Sequence, residues 1–107
     1  MAGRYYSDAN WDGAATLVQG AGPKYIKRIF VDNENAAARF LQVFNAAAFE
    51  DVTLGTTEPD INCRIPATDN RGIDVEAWFD AGVVIAVTDS TRGATTSGTN
   101  NIFIGIG

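Results

Sequence analysis

An all-β antiparallel sandwich or jelly roll of seven to eight short strands is the fold this sequence predicts, and three observations predict it. Apolar runs of roughly five residues recur along the chain, several of them with period-two alternation. Gly, Pro, Asn and Asp punctuate them at Asp12-Gly13, Gly20-Ala21-Gly22-Pro23, Asp32-Asn33-Glu34-Asn35, Gly55 and Pro66. The chain is 107 residues long, which suits one domain with a modest core.

Residues 1–14 mix aromatics with small polar residues and read as an extended N-terminal arm that turns at Asp12-Gly13. With the short apolar piece Thr16-Leu17-Val18, this segment (1–22) precedes a sandwich expected over 23–107. Lys24 to Val31 is rich in Ile, Tyr, Phe and Val and reads as a strand. Residues 36–49 are ambiguous: alanine content and the Phe40, Phe44, Ala48 spacing favour a helix, whereas Arg39 to Phe44 read as a strand is apolar on both faces, as one pressed by a neighbouring subunit would be. Asp51 to Leu54 reads as a short strand closed by Gly55. Asp60 to Ile65 alternates and stops at Pro66. Ile73, Val75, Ala77 and Phe79 share a face, with Asp74, Glu76 and Trp78 opposite. Val83 to Thr88 is a β-branched run expected to be buried, and a Ser/Thr/Gly/Asn loop over 89–101 leads to a last strand, Ile102 to Ile106.

Composition excludes several functions. No segment supplies the ~20 apolar residues of a membrane-spanning helix, and Met1 to Trp11 has no signal-peptide core, so synthesis in a cytoplasm without general secretory export is expected. The net charge is −5, and the only close basic cluster, Lys24, Lys27 and Arg28, is followed by Asp32 and Glu34. Nucleic-acid affinity needs a concentrated basic face, so no nucleic-acid partner is expected. Histidine is absent and Cys63 is the sole cysteine, which removes Ser-His-Asp and Cys-His catalysis, thiolate or histidine zinc sites, and any internal disulfide. Cys63 alternates with Ile61 and Ile65 and is expected to be a buried structural thiol.

Carboxylates remain. Glu50 with Asp51, Glu58 with Asp60, and Asp74 with Glu76 are pairs on paper. On a regular strand the last two share a face about 7 Å apart, a spacing compatible with a glycosidase-like pair or a weak calcium site, but equally with a solvated strand face. The glycine-rich stretches at 20–22 and 93–98 lack the Lys-Ser/Thr that phosphate loops require and read as turns. No catalytic residue, metal site or cofactor is expected.

What remains is association. An apolar strand at Ile102 to Ile106 with no later charge is a poor edge, so it must be central or covered. Tyr5, Tyr6 and Trp11 lie in an arm too short for its own core, and Trp78 faces away from the core side of its strand; these four are the candidate interface residues. Homo-oligomerisation is expected.

Several segments carry a resemblance. Lys24-Tyr25-Ile26-Lys27, Ala37-Ala38-Arg39-Phe40-Leu41-Gln42-Val43-Phe44-Asn45, Val52-Thr53-Leu54-Gly55-Thr56-Thr57-Glu58-Pro59-Asp60, Ile65-Pro66-Ala67 and the Phe79 to Thr88 run follow one another in order. Together they resemble short structural proteins of tailed bacteriophages. That group reads roughly as Ala-Ala-x-Arg-Tyr-Leu-x-Leu-Tyr-Asn, then a Val-Gly-Thr-x-x-Pro turn, an Ile-Pro strand end and a Gly-Ile-Ala strand. The resemblance covers about residues 24–88 and consists of strand-and-turn patterns rather than chemical signatures. It implies that residues 39–44 are a strand, against their local helical lean. It also implies a virion component: a capsid decoration (cement) protein packed on the major capsid protein, or a tail-associated part. It supplies no functional residues. Glu50-Asp51, the Asp69 to Gly72 turn and the N-terminal arm depart from the pattern. Two other classes stay open, a carbohydrate- or receptor-binding module using Trp78 and a small enzyme using Asp74 and Glu76.

Overall fold

A computed structural model describes residues 4–96 and 98–107; the first three residues of the expected arm and Ser97 of the expected loop lie outside the described residues. Eight strands follow in order: β1 (Arg4–Trp11), β2 (Thr16–Leu17), β3 (Lys24–Asn33), β4 (Arg39–Asn45), β5 (Ile61–Ile65), β6 (Asp69–Phe79), β7 (Val83–Thr88) and β8 (Asn100–Ile106). A single turn of 3-10 helix, Phe49–Asp51, interrupts them. The strands form two four-stranded antiparallel sheets, ordered β1-β8-β3-β6 and β2-β7-β4-β5. Within these orders β1 pairs with β8, β2 with β7, β3 with β6 and β4 with β5. That nesting is one long antiparallel hairpin wrapped over on itself, the jelly-roll winding.

Period-two patterning builds the core. Ile26, Ile29 and Val31 of β3, Leu41 and Val43 of β4, Val83, Ile85 and Val87 of β7, and Ile102, Ile104 and Ile106 of β8 all project between the sheets. The β8 run is central, flanked by β1 and β3, so its apolar backbone edge is fully paired.

Sheet pairing overrides local preference at β4. Residues 39–45 form a strand held between β5 and β7, with Phe40 opposite both Arg64 and Thr88. Leu41 and Val43 enter the main core, while Phe44 packs on the other side with Ala46 and Val84. A helix over the same residues would forfeit both ladders. The second apolar face of β4 needs no neighbouring subunit, because Ala15, Leu17, Val52 and Leu54 of the same chain pack against it. Val52 to Leu54, expected as a strand, instead follows the 3-10 turn as part of this covering segment. Its Thr53 carbonyl accepts the Thr56 and Thr57 amides at 2.9 and 2.8 Å, and that turn spends the hydrogen bonds a ladder would need.

The expected arm is also corrected. Residues 4–11 are a full edge strand on β8, from Arg4 opposite Ile106 to Trp11 opposite Asn100. Trp11 is 5% exposed in the common core and its indole Nε1 donates to the Ala14 carbonyl at 3.2 Å. Tyr6 likewise packs against the core. Gly13, at φ +84°, makes the turn into β2; a Cβ there would meet the Val87 carbonyl oxygen at 2.5 Å.

One end of the sandwich is locked by asparagines. The fully buried Asn33 side chain donates to the carbonyls of Ala37, Ile65 and Pro66 at 3.1, 3.3 and 3.1 Å, and its Oδ1 accepts from the Asn35 amide. Asn35 Oδ1 accepts the Thr99 amide at 2.8 Å, and buried Asn100 donates to the Trp11 carbonyl at 3.2 Å. The chain crossings at this end are thereby joined through side-chain amides, each of which both donates and accepts.

Candidate interaction surface

The two outer sheet faces differ. On the β2-β7-β4-β5 sheet, Gln42, Phe44, Val84, Ala86 and Thr88 face outward yet are buried. The chain's own loops cover them: Gln42 Nε2 donates to Thr88 Oγ1 and to the Gly93 carbonyl, at 2.9 and 3.1 Å. An exposed ion pair between Arg92 and Glu58 joins the two covering loops.

Among the described residues, no loop covers the outer face of the β1-β8-β3-β6 sheet in this way. Of the five exposed large hydrophobics among the described residues, four stand on it: Tyr5 (58%), Phe30 (37%), Trp78 (65%) and Phe103 (46%). Strand register places them. Phe103 of β8 lies directly opposite Phe30 of β3, and Tyr5 of β1 stacks on Phe103 with ring centroids 5.0 Å apart. Gly105 lies beside Tyr5 and Gly72 beside Phe30, so the aromatics rise from a low floor. A groove of about 530 Å³ runs along the Phe103 side, lined by Ser7, Ala9, Phe30, Asp32, Asn101 and Phe103 among others.

At the far end Trp78 meets Tyr25 edge-on at 5.4 Å. Between the two aromatic groups Arg28 pairs with Asp74 at 2.5 Å, with both side chains more than half exposed. Register shifts mark β3 here: Ile26 and Arg28 face Ala77 and Asp74 on one side, but Ile106 and Gly105 on the other. The extra residues make β-bulges that disrupt edge strand β6, and Glu76 adopts φ +47° within one. Despite the bulge, burial still alternates through β6, leaving Asp74 and Glu76 both exposed, and Asp74 is engaged by arginine.

Of the four candidate interface residues, the structure brings Tyr5 and Trp78 onto this outer face and places Tyr6 and Trp11 inside. The Tyr6 hydroxyl has its pKa raised, first by burial and second by the nearby Asp8 carboxylate. Phe30 and Phe103 were not singled out from the sequence. Their signal was present: each sits between two β-branched core residues, Ile29 and Val31 or Ile102 and Ile104, so alternation alone turns it outward.

A second concavity, about 420 Å³, opens between edge strands β5 and β6 and is lined by Asn45, Asp60, Ile61, Asp74 and Trp78 among others. One oxygen of Asp60 accepts the Asn45 amide at 2.7 Å. Cys63 does share its strand face with Ile61 and Ile65 but is only half-buried, because β5 is a sheet edge beside this opening. Among the described residues no three His, Cys, Asp or Glu side chains gather as a metal site would require.

No protein-family model matches the chain, and no curated protein matches it in sequence. Solved structures do resemble it. PirA superposes with TM-score 0.50 at 10% identity, over 97% of this chain and 92% of that one. Two crystal structures of the Tobacco streak virus coat protein superpose with TM-scores 0.45 and 0.44 at 8% identity, over 96% of this chain and 84% and 83% of theirs. At such identity a likeness speaks to architecture alone. The strand pairing and the PirA superposition together establish an all-β, eight-strand sandwich of two antiparallel sheets wound as a jelly roll.

Proposed function

We propose that this chain is a non-enzymatic structural subunit of a tailed-bacteriophage virion, a capsid decoration protein that works by packing against neighbouring subunits. One observation carries the reading: one outer sheet face is sealed by the chain's own loops, and the other presents Tyr5, Phe30, Phe103 and Trp78 to solvent. Exposed apolar patches of this kind mark surfaces that are covered in use. The jelly roll itself serves both shells and lectins, so the choice rests on the site. The strand-and-turn patterns over about residues 24–88 support the virion setting. The major capsid protein is the proposed partner, and an acidic net charge of −5 suits a surface turned away from packaged DNA. Gradient-purified particles tests it: the chain should co-migrate with the major capsid protein in fixed stoichiometry, and recovery only in the soluble fraction refutes it.

A second reading is favoured by Trp78, whose exposed ring borders the cleft containing Asn45 and Asp60. An aromatic platform beside hydrogen-bonding groups suits a saccharide, which would make the chain a receptor-binding module. Saccharide binding that disappears in Trp78→Ala, with the melting temperature unchanged, would select this reading.

A further inference from the structure

We infer that the bare face of the β1-β8-β3-β6 sheet is covered by a second copy of this chain, stacked face to face with its strands antiparallel about a two-fold axis lying across the strands at the Phe103–Phe30 row. This rests on the reading of that face as an assembly surface and names its occupant. Along strand β3 the face is self-complementary in charge, with Lys27 the cation offered across the axis, since Arg28 already engages Asp74 of β6. Along β3 the outward charges run from Lys27 and Arg28 at one end, through Phe30, to Asp32 at the other, with Glu34 just beyond. Rotation about an axis through the Phe30 row keeps each strand over its own copy and reverses its direction. It sets Phe30 on Phe30 and Phe103 on Phe103, and carries the Asp32 end of each subunit over the Lys27–Arg28 end of the other. An isologous contact requires this, since every attraction must occur twice.

Shape follows the same rotation. Tyr5 pairs with Gly105 in the row level with Arg28, and the groove beside Ser7 and Ala9 lies on the same strand toward the Asp32 row. Reversing the strand brings the Tyr5 ring of one copy over the groove of the other. The glycine floor at Gly72 and Gly105 leaves the aromatics as the first atoms to meet. Stacked sheets pack about 10 Å apart with strands inclined by about 30°, a geometry that facing aromatic rows can fill. Both edges of this sheet are interrupted, β6 by its bulge and β1 by the register shift between Asp8 and Trp11, which disfavours edge-to-edge pairing and favours stacking as the homotypic contact.

The purified full chain tests this by sedimentation velocity over about 1–100 µM, a range spanning weak to moderate association. A concentration-dependent dimer is expected. Lys27→Glu and Asp32→Lys should each weaken it by roughly tenfold, since each charge is used twice and exposed pairs are individually weak. The double variant Lys27→Glu with Asp32→Lys should regain most of the wild-type affinity, because the exchanged charges face each other again across the axis. Phe103→Asp should give a monomer whose circular dichroism remains that of a β protein. A wild-type monomer throughout the range overturns the proposal, and so does a dimer that survives Phe103→Asp. A dimer weakened by both single charge changes and not restored by the double change overturns the antiparallel register. A dimer with this pattern that never co-purifies with particles sinks the virion reading and leaves this one standing. A monomer that still binds particles does the reverse.

Discussion

The two outer faces of this sandwich carry apolar residues in similar number but dispose of them in different ways. On the β2-β7-β4-β5 sheet, Phe44 and Val84 are sealed beneath Leu17, Val52 and Leu54 of the same chain. On the β1-β8-β3-β6 sheet, Phe30 and Phe103 remain open. The cause lies in connection length. The β4–β5 connection, residues 46–60, and the β7–β8 connection, residues 89–99, are long enough to fold back over one sheet. None of the described connections crosses the other. An apolar side chain covered by its own loop contributes to folding, whereas one left open contributes only when another surface arrives.

The largest test of this contrast is Phe44→Ala against Phe103→Ala. The covered ring is 2% exposed, and its loss should cost about 3–5 kcal/mol by urea unfolding. Phe103→Ala in the monomer should cost about 1 kcal/mol, mainly the stack on Tyr5. Equal losses would mean that the two faces are not different in kind.

Trp11→Ala should cost about 3–5 kcal/mol as well, because the indole belongs to the shared core. Deleting residues 2–12 should for the same reason unfold the chain rather than merely release it from a partner, as measured by thermal melting. A truncated protein that melts like the full chain would restore the view of this segment as an arm.

Asn33→Ala comes next. It leaves three carbonyls without their amide donor and removes an acceptor from Asn35, so a loss of about 2–3 kcal/mol is expected in chemical denaturation. Less than about 1 kcal/mol would show that water replaces the amide at little cost.

The smallest effect concerns the inner side of edge strand β1. With its folded pKa raised, Tyr6 holds its proton more tightly when folded than when unfolded. That contribution is fully present below the ordinary tyrosine pKa of about 10 and is lost as pH rises through the higher folded value. Melting temperature should therefore fall across that alkaline window, and less steeply in Tyr6→Phe; identical slopes would place Tyr6 in solvent with Tyr5.

Much of the fold was legible in the residues. Alternation in β5, β6 and β8 and the β-branched run of β7 are consequences of a two-residue side-chain period, which any strand with one buried face must obey. The absence of histidine and the single cysteine likewise bounded the chemistry without coordinates. Local preference leaves residues 36–49 ambiguous and reads 1–11 as an arm, because what decides them is remote; only the resemblance makes residues 39–44 a strand. Arg39–Asn45 is a strand since β5 and β7 offer it hydrogen bonds on both edges, and Trp11 joins the core with Tyr6 packed against it since β8 pairs β1 into the sheet. The β3–β6 bulge between Asp74 and Ala77, and the asparagine lock around Asn33, join residues far apart along the chain.

The sequence by itself determined that this is a small, mostly β chain whose short strands are built from alternating apolar residues, because periodicity and turn chemistry are local properties of the backbone. Only the tertiary structure decided which of those residues the chain covers for itself and which it leaves open. That depends on where the long connections fall once the hairpin has wrapped, and loop placement is a non-local outcome of strand pairing.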